Sequence, residues 1–345
     1  MSSLAILILA IVASTIGLAI LAAVFQSLAA LADRKKHPPP GRMINIGSHS
    51  LHLFSSGAGS PAVILDSGLP GTALSWTFIQ DEVAKFTRVC SYDRAGLGWS
   101  EPGPKPRTSA QVANELRTLL QNAGIPPPYV LVGHSFGAFT MRLFAAHHPS
   151  EIAGMILADG LHPAEWHPAS EHQLRGLSRA VRFARRGAWM AAVGVPRVIF
   201  FLGRIGVAKF ARKLGLLASG GALRAAESLF LPVSKLPSRF HAVIGSFWSH
   251  SNSYHALADQ MEALPESARQ VSSATSFGDL PLIALVASNS RPPRSMSTEE
   301  VARLSSQGKL IVASGSGHWI QIDQPSLVID AILHIITQVR YASID

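Results

Sequence analysis

The chain predicts an α/β fold: a mostly parallel eight-stranded sheet with helices on both faces, interrupted by a helical insertion and preceded by one apolar helix. Three observations carry this expectation. Short, continuously apolar runs alternate with segments of helical periodicity, as parallel strands covered on both faces require. Residues 161–270 break that rhythm with many helix formers and no strand alternation. Ser2 to Ala32 contain no charged residue at all.

The strand candidates, in order, are Arg42 to Ile46, Ser50 to Phe54, Ala62 to Asp66, Arg88 to Tyr92, Tyr129 to Val132, Ala153 to Ala158, Leu282 to Ala287 and Lys309 to Ala313. The first two are expected to form an antiparallel hairpin and the rest a parallel sheet. Thr108-Ser109-Ala110-Gln111 reads as a capping box ahead of Val112, Leu116, Leu119 and Leu120, and Gly124 is placed to end that helix. A second helix is expected from Phe136 to His147, stopped by Pro149. The last begins at Pro325, with Leu327, Val328, Ala331, Ile332, Ile335 and Val339 on one face.

With 345 residues, 48% of them hydrophobic, the chain has material for one large core with an insertion. The expected organisation is an anchor over 1–32, a charged, Pro-rich linker over 33–42, a core built from 43–160 and 271–345, and a cap over 161–270. Cys90 is the single cysteine, so no intrachain disulfide forms. Its apolar strand context reads as a buried small hydrophobe.

The net charge is +9, and its location matters more than its size. Residues 161–260 hold thirteen Arg or Lys against four Asp or Glu, the whole of the excess. These cations are spaced among Phe, Leu, Ile and Val, as in Val198 to Arg204 and Val207 to Lys213. That pattern suits a membrane surface and not a nucleic acid. The uncharged amino-terminal stretch, at about 1.5 Å per residue, exceeds the roughly 30 Å of bilayer hydrocarbon. A cleaved signal peptide ending near Ala30-Leu31-Ala32 is the alternative, but the stretch is about twice the usual apolar length and no basic residue precedes it. Arg34-Lys35-Lys36 then place the following domain on the cytoplasmic side; signal cleavage would instead export it.

Gly133-His134-Ser135-Phe136-Gly137 lies between a strand candidate and a helix candidate. A Ser at such a turn adopts a strained backbone, and only small residues two places either side let the turn close, so Ser135 is the candidate nucleophile. The Phe136 amide, at the helix start, is a candidate oxyanion donor. A weak nucleophile needs a base, and His318 in Ser316-Gly317-His318-Trp319 follows the last strand candidate.

These two motifs, together with Ser91-Tyr92-Asp93-Arg94-Ala95-Gly96-Leu97-Gly98-Trp99-Ser100 and the run from Ser316 to Pro325, make the chain from about 42 to 340 resemble the α/β-hydrolase superfamily, in particular its capped, esterase-like serine members. The resemblance implies that Ser67-Gly68-Leu69-Pro70-Gly71 supplies the second oxyanion amide, from Leu69 with Gly68 next. The commonest family position for the triad acid is the loop after the seventh strand, but here it reads Ser288 to Pro293 without a carboxylate. Some members carry the acid after the sixth strand, where Asp159 stands; Asp279 precedes the seventh strand and belongs at the wrong edge. Asp159 capping the turn into the cap is the structural alternative. Asp93 and Arg94 are expected to shape their loop, and His134 to pack beneath the elbow.

No His-Glu-x-x-His, no paired Cys and no Gly-rich phosphate loop is present, so neither a metal nor another cofactor is implied. His162 and His167, close together on an unplaced loop, make only a weak metal signal. The expected function is a membrane-anchored serine hydrolase that cleaves carboxylic esters through an acyl-enzyme. Its expected partners are a small ester with an apolar acyl group and membrane lipid. The alternatives are an acyltransferase, a peptidase or a cofactor-free peroxidase on the same fold, or a non-catalytic membrane-anchored binding protein.

Overall fold

A computed structural model describes residues 2–204, 233–289 and 298–342. Eight strands form one sheet: β1 (Arg42–Asn45), β2 (Ser50–Ser56), β3 (Ala62–Asp66), β4 (Val89–Tyr92), β5 (Tyr129–His134), β6 (Ile152–Ala158), β7 (Leu282–Ala287) and β8 (Gly308–Ala313). Their spatial order is β1-β2-β4-β3-β5-β6-β7-β8. β2 pairs antiparallel with both β1 and β4, and every other pairing is parallel. All eight expected strands are present, and their ends shift for local reasons. β1 stops at Asn45 because its side chain accepts from the Gly47 amide at 2.7 Å and turns the chain. β2 runs on to Ser56, which is in register with Val89.

Because β3 lies between β4 and β5, the chain leaves β3 in one direction and later returns on its other side. The carboxyl ends of β3 and β5 therefore flank a crevice at the point where strand order reverses, the usual ligand position in open α/β sheets.

The alternation of side chains along each strand divides the core in two. Val63 and Leu65 of β3 and Val130 and Val132 of β5 face α2 (Thr77–Val83) and α12 (Pro325–Ala342). Ile64 and Leu131 face the opposite layer, formed by α3 (Ser109–Asn122) and α4 (Gly137–His147). Each large apolar side chain so buried stabilises the fold by about 1.5–3 kcal/mol. Cys90 belongs to this second layer, and burial pushes its thiol up to about 11.

The helix ends follow the expected chemistry, with one difference. Thr108 Oγ1 accepts from the Gln111 amide at 3.3 Å, but the Gln111 side chain bonds Glu115 at 3.1 Å instead of reaching back. Only half of the capping box forms, because a carboxylate one turn ahead competes for the amide group. Gly124, at φ +70°, ends α3.

Between β6 and β7 the regular elements among the described residues are helical: α5 (Glu171–Ala192), α6 (Val195–Arg204), α7 (Ser238–Phe247), α8 (Ser251–Glu262) and α9 (Leu264–Val271). They build a third apolar cluster around Val243, Phe247, Trp248 and Leu257, which reaches Leu69 and Trp319. The basic run Val207 to Lys213 and the loop Ser290 to Pro293 lie outside the described residues. Two short helices, α10 (Thr298–Leu304) and α11 (Ile320–Asp323), flank β8. Ahead of the sheet, α1 (Ser3–Lys36) is long and apolar enough to cross a membrane, and its apolar stretch is exposed.

Candidate active site

Ser135 stands at the carboxyl end of β5 with φ +52°, a left-handed backbone that costs a residue with a Cβ about 1–2 kcal/mol. Its surroundings hold it there: the Ser135 amide donates to Ala158 O at 3.1 Å and the Leu161 amide donates to Ser135 O at 3.2 Å. The flanking glycines are needed for close approach. A Cβ on Gly133 would lie 2.6 Å from Gly137 O, and one on Gly137 would lie 2.5 Å from Asp66 O.

His318, on the loop after β8, brings Nε2 to 3.0 Å from Ser135 Oγ. Its Nδ1 lies 2.6 Å from Asp159 Oδ2. Asp159, with φ +42°, is 2% exposed. Its amide donates to Leu285 O at 2.7 Å and its Oδ1 accepts from the Ala287 amide at 3.2 Å, so β7 clamps the carboxylate. An ionised carboxylate only accepts, so Nδ1 carries the ring proton and Nε2 is left as an acceptor facing the hydroxyl. Asp279 precedes β7, at the other edge of the sheet from β6's end. After β7, Ser288 Oγ accepts from the Gly315 amide at 2.8 Å and ties that loop to the histidine loop.

The loop after β3 is gripped on both sides. The Gly68 amide donates to His134 Nδ1 at 3.2 Å, while Gly68 O accepts from Arg94 Nη2 at 2.7 Å and from the Gly71 amide at 2.8 Å. A trans peptide points its N–H opposite to its C=O, so the Leu69 N–H faces away from Arg94. Among the described residues neither the Leu69 nor the Phe136 amide has an acceptor. The Gly68 amide is already engaged, which leaves Leu69 as the donor available from this loop.

Two residues do more than the packing and loop-shaping roles expected of them. His134 is buried and links the two halves of the site: Nδ1 accepts from Gly68, and Nε2 lies 2.8 Å from His318 O. Its ring also packs against those of His318 and Trp319, at 4.7 and 4.9 Å between centroids. Arg94 is the other. It pairs with Asp66 at 2.9 Å, both side chains being 1% exposed, donates to Ser67 O and Gly68 O, and covers the Phe136 ring. Burial pushes the Asp66 carboxyl above the usual range, and the Arg94 guanidinium opposes this. The motif around Gly133 and the Asp93-Arg94 pair were the only signals for them.

Asp93 organises its loop: its carboxylate accepts from the Ala73 and Trp99 amides at 2.7 and 3.1 Å and meets His52 Nδ1 at 2.8 Å. His162 is engaged by the Ala164 amide and by Glu300, 3.1 Å away. A surface cavity of about 400 Å³ lined by Gln121, Ile125, Tyr129 and Glu151 lies at the start of β5, remote from Ser135.

Fold and site together have the form of the α/β-hydrolase class. Residues 61–325 match the family described as alpha/beta hydrolase fold, and the chain belongs to that family. It is 36% identical over 103 residues to an AB hydrolase superfamily protein of Gibberella zeae, covering 29% of this chain and 32% of that protein. It is 24% identical over 286 residues to the sn-1-specific diacylglycerol lipase ABHD11 of Mus musculus, covering 82% and 83%. A thermophilic esterase structure from Thermogutta terrifontis superposes with a TM-score of 0.61 at 21% identity, covering 84% of this chain and 94% of that one. The chain spans only 18%, 32% and 43% of the first three curated relatives it matches.

Proposed function

We propose that this protein is a serine hydrolase that cleaves carboxylic esters through an acyl-enzyme and is held to a membrane by α1. The observation that carries the reading is the unbroken line from Asp159 through His318 to Ser135, beside two amides that have no acceptor among the described residues. Ser135 Oγ attacks the acyl carbon as its proton passes to His318 Nε2, and the oxygen that becomes negative is received by the Leu69 and Phe136 amides. His318 then returns the proton to the leaving alkoxide. Water, deprotonated by the same nitrogen, releases the acid and restores the hydroxyl. The apolar cluster that extends from Leu69 and Trp319 into the cap supports an apolar acyl group. Similarity to the sn-1-specific diacylglycerol lipase of Mus musculus supports ester over amide chemistry.

A fluorophosphonate probe tests this. The folded wild type should be labelled and Ser135→Ala should not; absence of labelling in folded wild type would favour a ligand-binding protein. Gly68→Ala probes the oxyanion loop, because the added methyl would sit 2.7 Å from Ser135 Cβ and 2.9 Å from His134 Nδ1. The loop must shift, and kcat should fall by about 10²–10³-fold, the cost of losing one oxyanion donor. Unchanged kcat in Gly68→Ala would remove Leu69 from the scheme.

For the membrane, Arg34, Lys35 and Lys36 just after the apolar stretch support a catalytic unit on the cytoplasmic side. Protease added to intact cells should leave it whole. Digestion under those conditions, or a mature protein beginning at Asp33, contradicts this topology.

A further inference from the structure

α1 does not leave the catalytic unit on a free tether. Gln26 is 5% exposed, in a helix whose other side chains are largely open. Its Nε2 donates to Ser249 O at 2.6 Å and its Oε1 accepts from Arg197 Nε at 2.8 Å. Arg197 Nη2 also donates to Asp33 Oδ2 at 2.7 Å, and His250 Nε2 lies 3.4 Å from the same oxygen. At the end of the helix the Trp99 indole N–H donates to His37 O at 2.8 Å. Polar groups of the anchor, the cap and the core thus fix the direction in which α1 departs.

This contact has a definite depth. From Leu4 to Phe25 the helix rises about 33 Å at about 1.5 Å per residue, against roughly 30 Å of hydrocarbon. Gln26 then falls at the boundary between hydrocarbon and headgroups, with Asp33 about 10 Å further towards water. Besides Ser249 after α7, the part of the cap that meets α1 at this level is the junction of α5 and α6: a Cβ on Gly194 would lie 3.5 Å from Gln26 Oε1. Around that junction the chain exposes Trp189 (78%), Met190 (45%), Val193 (36%), Val198 (54%) and Ile199 (58%). An apolar group of this size open to water marks an interaction surface, and Trp favours the membrane interface. Exposed Arg182 and Arg186 on α5 and Arg34 to Lys36 on α1 supply the charge that suits anionic headgroups.

We infer that the α5–α6 junction around Gly194 rests in the lipid interface beside α1, so that the catalytic unit sits against the bilayer in one orientation with its cap facing lipid. The inference rests on reading α1 as a membrane span. Its consequence for the reaction is that an apolar ester reaches the cap from the lipid phase, without first crossing water.

The test places an environment-sensitive nitrobenzoxadiazole label on the full chain through Met190→Cys and, separately, Val198→Cys. Leu18→Cys reports on α1 and Asn114→Cys, exposed on α3, serves as the water-facing control. Cys90 is buried and its thiol is pushed up, so it stays unlabelled. Each variant is reconstituted in phosphatidylcholine–phosphatidylserine vesicles, with and without bromine high on the acyl chains, and its fold is checked by circular dichroism. Labels at 190, 198 and 18 should shift to the blue and lose emission to brominated lipid, while the label at 114 does neither. Quenching at 18 with 190 and 198 behaving like 114 overturns the inference and leaves the anchor standing. No quenching at 18 removes the anchor reading and the inference with it. A blue shift at 190 and 198 without bromine quenching means that protein, such as a second copy of the chain, covers this face, and that also overturns it.

Discussion

Ser135→Ala should lower turnover by roughly 10⁶-fold, the scale seen when the nucleophile of a serine triad is removed, while the protein stays folded. The loss comes from chemistry and not from packing, because Ser135 Oγ makes its hydrogen bond to His318, whose other contacts to Asp159 and His134 remain. The residual rate would belong to the oxyanion amides and to substrate binding. The same position makes a stability prediction of opposite character. Ser135 holds φ at +52°, which alanine tolerates no better than serine, whereas glycine adopts it freely. Ser135→Gly should therefore be more stable than Ser135→Ala by about 1 kcal/mol, although both should be inactive. Near-normal turnover in folded Ser135→Ala would discard the nucleophile assignment. A lower melting temperature for the glycine variant would discard the strain argument.

Asp159→Asn should lower kcat by up to about 10⁴-fold with a small effect on folding. The geometry supplies the reason. The Ala287 amide donates to one oxygen of residue 159, so an asparagine would keep its carbonyl there and turn its NH₂ group towards His318 Nδ1. Two donors cannot share that contact. The imidazole would then carry its proton on Nε2 and present a donor to Ser135 Oγ, which disables it as a base. Asp279→Asn, at an exposed position before β7, should be nearly silent. A folded Asp159→Asn protein with near-normal turnover would leave a Ser-His dyad as the better account. A large loss in Asp279→Asn would mean that the acid has been misassigned.

The parts of the site that could be read before folding share one property, which is that each is encoded within a few residues. Gly133, Ser135 and Gly137 carry the elbow because the sharp turn has to be built from adjacent positions. His318 stands out through its place just after a terminal apolar strand. Asp159 has no local motif of its own: it is a candidate only through the family resemblance, which places the acid after the sixth strand in some members, combined with the lack of a carboxylate after the seventh. The family resemblance ranks Leu69 ahead of Gly68 as the donor, but no residue in the loop itself tells these neighbours apart. What separates them is the His134 ring nitrogen, which occupies the Gly68 amide from 66 positions away. Gln111 shows the converse, a local motif only half realised because Glu115 one turn on offered a competing partner.

The strand count, the order of the motifs, the long apolar helix and the basic, apolar composition of the insertion were determined by the sequence alone, because side-chain periodicity, turn chemistry and local charge act over two to about four residues. The tertiary structure alone decided that Asp159 reaches His318 across 159 positions, that Arg94 holds the carbonyls of the loop after β3, and that Gln26 joins α1 to Arg197 across 171. Such bonds depend on angle and on tenths of an ångström between groups that only the assembled sheet and cap bring together, and in an unfolded chain each of these groups would be satisfied by water.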